Sequence, residues 1–148
     1  MSETVYNVAK VRFTSGLLDW DTTDIRALVI GTNATTPSQM FDPDLLTVAA
    51  LLALTGILEA SGTGYARKLV TSRTVTQDDV NNRANLDSDS ITWNGASGWT
   101  ARAVVFYEEG GGTDATRNLI SFHDSNFPQV TNGGDFTVNT PNDVIRAT

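Results

Sequence analysis

The sequence predicts a mainly β protein, an antiparallel β-sandwich or barrel-like domain of about eight short strands with one short α-helix at about residues 43–55. Three observations predict it. Short runs rich in β-branched and aromatic residues recur along the chain, turn-forming residues separate them, and one stretch of leucines and alanines stands apart. With 40% apolar residues, the chain has enough material for one core, so we expect a single domain over residues 1–148.

The first two strands are predicted by different patterns. Residues 5–14 alternate, and the more apolar face carries Val5, Asn7, Ala9, Val11 and Phe13. Residues 24–31 end in the continuous apolar run 27–30, which is typical of a strand that is buried on both faces.

The helix is predicted by its end signals. Asp42 suits the N-cap, Pro43 fits the first helical position, and Gly56 offers a stop after the leucines and alanines. Because this helix is apolar nearly all round, it either packs inside its own domain, which we favour, or presses against a partner subunit.

The rest of the chain reads as further short strands between turns. The glycines at 110–112 mark a connection, and Asn132, Gly133 and Gly134 form a strong tight-turn signal. Residues 78–89 are polar and turn-like. The predicted strands are residues 57–60, 65–77, 90–93, 100–107, 117–123, 135–139 and 144–147.

Composition excludes several classes of function. The absence of cysteine removes disulfides, thiolate metal sites and thiol nucleophiles. A net charge of −7 disfavours binding to nucleic-acid backbones and to anionic membranes. Residues 1–9 lack the features of a signal peptide, and the apolar run 45–58 is shorter than the roughly 20 residues of a membrane span. We therefore read the sequon at Asn33 as a chance match.

The sequence offers little for catalysis. His123 is the sole histidine, and although Asp124 follows it, no serine lies in a G-x-S-x-G elbow. The glycines at 110–112 are not followed by the Lys-Ser/Thr pair of a phosphate-binding loop. We expect no enzymatic activity and no cofactor.

One acidic stretch could supply oxygen ligands to calcium. Asp78, Asp79, Asp87 and Asp89 lie within twelve residues, and Ca²⁺ binds six to eight oxygen ligands. The stretch does not match an EF-hand loop. A solvated turn that keeps a strand edge from pairing with other chains is the interpretation we favour.

The large aromatic side chains allow two interpretations. They could form a carbohydrate-stacking surface, or they could be core and subunit-contact residues, which we favour. Trp99 follows Gly98 in a predicted turn, so it is the best candidate for exposure. The residues in question are Trp20, Tyr65, Trp93, Trp99 and Tyr107.

Several segments, in order and spacing, resemble a widespread group of small structural proteins of tailed phages. They cover most of the chain. The segments are DIRAL (24–28), SGTGYARK (61–68), TVTQDD (74–79), ITW (91–93), AVVFY (103–107) and NGGDFTV (132–138). The leucine-rich stretch at 43–55 departs from the group by being longer and more apolar.

The resemblance implies a non-enzymatic role in the virion, as a head-decoration (cement), head-fibre or tail protein. The leading expectation is a decoration protein that is made in the host cytoplasm, binds the outside of the capsid and bridges major capsid subunits, as a homo-oligomer such as a trimer. A tail or fibre component that contacts the host and a carbohydrate-binding module are the alternatives. As contact residues we predict Leu45, Leu46, Val48, Leu52 and Trp99.

Overall fold

The structure, a computed structural model, describes residues 3–31, 38–139 and 145–147, and it confirms a mainly β fold with antiparallel pairing. Two α-helices are present among these residues, α1 (Asn7–Thr14) and α2 (Val48–Leu52). The strands are β1 (Glu3–Val5), β2 (Ile25–Ile30), β3 (Lys68–Leu69), β4 (Thr74–Asp78), β5 (Arg83–Asp87), β6 (Ile91–Trp93), β7 (Ser97–Ala101), β8 (Ala103–Glu108), β9 (Leu119–His123), β10 (Gln129–Asn132), β11 (Phe136–Val138) and β12 (Ile145–Ala147).

A five-stranded antiparallel sheet, in the order β1-β9-β8-β2-β3, lies at the centre. Strands β2 and β8 pair along their full lengths, from Ile25 opposite Glu108 to Ile30 opposite Ala103. Five of the six residues in each of these two strands are buried. Successive side chains of a strand point to opposite faces, so both faces of this sheet are covered. The continuous apolar run of residues 27–30 predicted this arrangement.

Three small antiparallel sheets form a second β layer over one face of the central sheet. They are β12-β5-β4, β11-β6 and β10-β7. Side chains of β5, β6, β7 and β11 join those of β2, β8 and β9 in one cluster, which we call the tryptophan-side core. Its large members are Trp20, Trp93, Trp99, Phe106, Phe136, Leu86, Ile25, Ile91 and Ile120. The layered β arrangement agrees with a sandwich, and the central sheet is open because β1 and β3 do not pair with each other.

Helical segments cover the opposite face of the central sheet. A 3-10 helix at Ser38–Phe41 and α2 pack there. We call this cluster the helix-side core. Its members are Tyr6, Leu28, Ile30, Met40, Val48, Leu51, Ile57, Ala103, Val105, Tyr107, Leu119 and Phe122.

The predicted strand at residues 5–14 is wrong, since helix α1 occupies most of it. Val5, Ala9 and Phe13 lie four residues apart, a spacing that fits one helix face as well as a strand. In the structure Ala9 is fully buried and Phe13 packs against the tryptophan-side core, whereas Val11 is 64% exposed. The pattern of apolar and polar residues in this segment therefore has the period of a helix and not the alternation of a strand.

The predicted helix at 43–55 is shortened to the five residues of α2. Thr47, not Asp42, is its N-cap, and the Thr47 hydroxyl accepts a hydrogen bond from the Ala50 N–H at 3.2 Å. Just before the helix, the Leu46 carbonyl accepts the Leu119 N–H at 3.0 Å, and Thr47 forms a bridge with Asn118. These β-type contacts use backbone groups that a longer helix would need, so tertiary pairing outweighs the helix propensity of the leucines.

Other strand boundaries also differ from the predictions. Residues 65–77 divide into β3 and β4, with Ser72 at a φ of 50° between them, and residues 100–107 divide into β7 and β8 at Arg102. Residues 78–89, predicted as a turn, hold the turn of the β4–β5 hairpin and the whole of β5. Strand β10 was not predicted, and residues 57–60 form only an isolated bridge of Glu59 with Ile30. Asn33 and Val144 lie outside the described residues.

We expect Gly64→Ala to destabilise the fold more than Gly95→Ala does. Both glycines have a φ in the left-handed region, +75° and +61°, so both substitutions carry the same conformational penalty. A Cβ at Gly64 would lie 2.5 Å from the Asn94 carbonyl oxygen, whereas nothing lies within 4 Å at Gly95. Urea unfolding should give a further loss of about 1–3 kcal/mol for Gly64→Ala. Equal losses for the two variants would contradict the close approach at Gly64.

Candidate functional site

The sole histidine forms a hydrogen-bonded pair with a serine on β9. The Ser121 hydroxyl and His123 Nε2 are 2.9 Å apart, and the His123 ring packs edge-on against Phe106 at 5.3 Å between centroids. Burial lowers the pKa of His123 to about 4, so the ring is neutral at pH 7. Ser121 is fully buried. Because a nucleophile must reach its substrate, this pair acts here as a packing feature of the sheet rather than as an exposed catalytic dyad.

The acidic candidates for a metal site are each engaged by neighbours along the β4–β5 hairpin. Hydrogen bonds from Asn81 and Arg83 lower the pKa of Asp78 to about 2. Asp79 accepts a hydrogen bond from Gln77, Asp87 from the Ser88 N–H, and Asp89 from the Ser72 hydroxyl. No group of three or more His, Asp or Glu side chains that could hold a metal ion occurs in the described ranges. The carboxylates therefore shape the hairpin.

The tryptophan predicted to be exposed is buried instead. Trp99 is 2% exposed, its indole N–H donates to the Thr63 carbonyl at 3.1 Å, and its ring packs edge-on against Tyr65 and Phe136. Gly98 turns the backbone outward, but the side chain of the next residue points inward along β7. Trp20 and Trp93 are also buried, at 1% and 0%. The three indoles therefore form core contacts and offer no stacking platform at the surface.

An ion-pair network that sequence reasoning missed lies beside helix α2. We call it the arginine network, and its members are Glu59, Arg67, Glu109, Asp114 and Arg117. Arg67 pairs bidentately with two carboxylates: its Nε and Nη2 donate to Glu59 at 2.7 and 2.6 Å, and its Nη1 and Nη2 donate to Asp114 at 2.6 and 2.9 Å. These bonds raise the pKa of Arg67 and lower the pKa of Asp114 to about 2.

Arg117 extends the network to the loop after β8. Its Nη1 donates to Asp114 at 2.8 Å, and its Nη2 pairs with Glu109. The guanidinium carbons of Arg67 and Arg117 lie 5.3 and 6.0 Å from the ring centroid of Tyr107. Each charged side chain of the network therefore has an oppositely charged partner. The network joins these segments of the chain and has a structural role.

The arginine network fixes the backbone on which α2 rests. The Ala49 N–H donates to the Asp114 carbonyl at 2.9 Å, and the Val48 N–H donates to the Arg117 carbonyl at 3.0 Å. Glu59, which follows α2, also accepts the Tyr65 hydroxyl at 2.8 Å. The first two residues of the helix are thus bonded to the segment of Asp114 and Arg117, and the network joins this segment to Glu59, which follows the helix.

The predicted contact residues separate into two groups. Val48 and Trp99 are buried in the two cores, so they cannot contact a partner in this fold. Leu46 is 57% exposed, and Leu45 and Leu52 are half-buried against the helix-side core. We call these three the leucine surface. Further large apolar side chains that are exposed are Val11, Leu17, Leu58, Leu69, Val75, Val80 and Val130.

Comparison of the chain with protein-family models, with curated proteins and with solved structures finds no match. In the described ranges, neither α1 nor α2 has the length and apolar character of a membrane-spanning helix.

We expect Arg67→Ala to lower the free energy of unfolding by about 2–3 kcal/mol, because two partly buried carboxylates lose their bidentate partner. Arg26→Ala is the control at the rim of the network: Arg26 is more exposed, pairs with Asp24 at 3.3 Å and reaches Glu109 only at 3.7 Å, so its loss should cost about 0.5 kcal/mol or less. Denaturant unfolding at neutral pH measures both changes. Similar losses for the two variants would show that the network contributes no more than a surface pair.

Acid should reveal the same network. A carboxyl pKa that is depressed in the fold stabilises the protein above the unfolded pKa, and that contribution is lost as pH falls through the folded pKa. For Asp114 the window runs from its ordinary value of 3.8 down to about 2. The difference in free energy of unfolding between the parent chain and Arg67→Ala should therefore become smaller as the pH falls through that window.

We expect the fold to lose up to about 2 kcal/mol between pH 7 and pH 5 because of His123. Its folded pKa of about 4 lies below the ordinary value of 6.5, so the unfolded chain takes up the proton first and stability falls as pH drops through this interval. His123→Gln removes the titration and should flatten the slope, measured by unfolding at several pH values. An unchanged slope would contradict the assignment.

Proposed function

We propose that the chain is a non-enzymatic structural protein of a tailed-phage virion, most specifically a decoration (cement) protein on the outside of the capsid. The observation that carries the proposal is the leucine surface, in which Leu46 is 57% exposed while its own backbone is hydrogen-bonded to Leu119 of β9 and the start of α2 to Asp114 and Arg117. A rigid base with exposed apolar side chains suits permanent contact with another protein. The resemblance of the segments DIRAL, SGTGYARK and NGGDFTV to phage structural proteins supplies the context.

The physical role of such a protein is to stabilise the assembled shell by mass action. A protein that binds the assembled shell and not the free subunits shifts the equilibrium toward the closed particle. Its partner would be the major capsid protein, and repeated copies would occupy equivalent symmetric positions. The net charge of −7 favours an outer location, because an acidic protein is repelled by packaged DNA.

The carbohydrate-binding alternative is weakened by the aromatic side chains. Trp20, Trp93 and Trp99 are each at most 2% exposed, and stacking on a sugar ring requires an exposed aromatic face. A role as a tail or fibre component stays in competition, since the same leucine surface could join a tail assembly.

The copy number in purified particles separates these roles. Quantitative mass spectrometry against the major capsid protein should give hundreds of copies per particle for a decoration protein. A few to a few tens of copies would indicate a tail, collar or fibre protein. Complete absence from the particle would overturn the virion proposal.

We expect Leu46→Asp to weaken binding to capsids that lack this protein by at least about tenfold, because a carboxylate would replace an apolar contact. Val80→Asp is the matched control: Val80 is 89% exposed and lies on the β4–β5 hairpin, in the layer on the other face of the central sheet. Co-sedimentation with shells measures binding, and thermal melting checks that both variants fold. Equal binding by the two variants would remove the leucine surface from the interface.

A further inference from the structure

Strand β4 is an exposed edge of the second β layer. In the part of the chain that the structure describes, β4 pairs with β5 on one side and with no strand on the other. Its residues 74–77 are all exposed, and Val75 keeps 49% of its surface. The backbone N–H and C=O groups along such an edge are ready to accept another strand.

Apart from the charge of Asp78 at its end, this edge lacks the devices that usually prevent pairing between chains, so the acidic residues that sequence reasoning treated as protection for the edge lie at one end of it. The sequence TVTQD contains no proline and no lysine, and the register with β5 runs without a bulge from Thr74 opposite Asp87 to Asp78 opposite Arg83. Threonine and valine favour extended backbone. The edge is therefore regular and long enough to form a ladder with a second strand.

We propose that a second copy of this chain occupies the edge, with the two β4 strands antiparallel across a two-fold axis at Thr76. In this register Thr74 lies opposite Asp78 of the second copy, and Val75 lies opposite Gln77. Beyond the ladder, Arg73 before the strand and Asp79 at the start of the β4–β5 turn of the second copy come to the same end, and the symmetry makes this pair twice. Cross-strand pairs of opposite charge stabilise a sheet.

The neighbouring registers lack this complementarity. An axis at Asp78 would place that carboxylate opposite its own copy, which is unfavourable. An axis at Gln77 would place Asp79 opposite Val75, and an axis at Val75 would place Arg73 opposite Gln77. The charges at the two ends of β4 thus select the axis at Thr76.

The two charged groups are available for such pairing. Arg73 donates to the backbone carbonyls of Val70 and Asp21, at 3.0 and 3.1 Å, and no ion pair to a carboxylate forms among the described residues. Asp79 is exposed and accepts one hydrogen bond, from the neighbouring Gln77. Either group can therefore gain an ionic partner without breaking an existing ion pair.

Pairing would also extend the apolar face of the layer. Val75 lies opposite the buried Leu86 on β5, so it points to the core side at the rim of the layer. In the dimer each Val75 lies on the same face as Gln77 of the second copy and directly opposite it, so the methylene groups of that glutamine cover part of its exposed surface. The result is one sheet in the order β12-β5-β4-β4-β5-β12. Because both copies use the same β4 edge, this contact closes at the dimer.

This inference concerns self-association and does not depend on the proposed virion role. It differs from the trimer that was given above as an example of a homo-oligomer. The lack of cysteine in the chain makes a direct test possible, because one introduced thiol is the sole thiol of each copy.

The test is oxidation of Thr76→Cys. Residues opposite each other at the axis have Cα atoms about 4.5–5.5 Å apart, within the range of a disulfide. Thr74→Cys is the matched control: it is equally exposed, but its copy would lie four residues away along the ladder, at about 14 Å. We expect Thr76→Cys to form covalent dimers readily and Thr74→Cys to stay monomeric. Equal cross-linking of both variants, or of neither, would overturn the proposal.

A charge exchange tests the register independently. Asp79→Arg should raise the dimer dissociation constant roughly tenfold in sedimentation equilibrium, since two attractions become repulsions. Adding Arg73→Glu to it should restore dimerisation by reversing both charges. Val80→Ser, next to the strand but outside the ladder, should leave the dissociation constant unchanged.

Two results would contradict this register. One is a double variant that dimerises no better than Asp79→Arg, with thermal melts showing that both are folded. The other is a disulfide at residue 76 that joins this chain to a different protein rather than to its own copy.

Discussion

The pairing of β2 with β8 is the constraint on which the rest of the structure depends. These two strands form the middle of a sheet that is buried on both faces, so each face needs its own cover. Short β pairs cover one face and helical segments cover the other. A strand with apolar side chains on both faces must be shielded from water on both faces. This requirement explains why much of the chain forms small elements that cover the two faces of the central sheet.

The segments that cover the helix side of the central sheet have little regular structure of their own. Ion pairs between arginine and carboxylate side chains hold these segments together. Arg67 joins Glu59 to Asp114, and Arg117 joins Asp114 to Glu109. A guanidinium can pair with two carboxylates at once in fixed planar geometry, which a lysine ammonium cannot do. The excess of arginine over lysine in the sequence is consistent with this use, at least at these two positions.

Local patterns predicted the parts of the fold that depend on local chemistry. The apolar run of β2, the β-branched and aromatic run of β8 and the tight turn at Asn132 were all recognisable.

Helix α1 was missed because four-residue spacing also satisfies alternation, and α2 was overextended because Leu46 and Thr47 bond to the start of β9. No local sequence pattern predicted the arginine network, because Glu59, Arg67 and Asp114 are distant in the sequence and come together only when the chain folds. Trp99 illustrates the same limit, because a turn glycine does not fix where the next side chain points.

The placement of the three indoles has a consequence for spectroscopy. Trp20, Trp93 and Trp99 all lie in the tryptophan-side core, and each N–H bonds to a backbone carbonyl at 2.8–3.1 Å. Intrinsic fluorescence excited at the indole band therefore reports on the tryptophan-side core. The buried tyrosines Tyr6 and Tyr107 belong to the opposite core. Loosening of the helical cover would leave indole emission nearly unchanged, so a single optical probe would describe only half of this molecule.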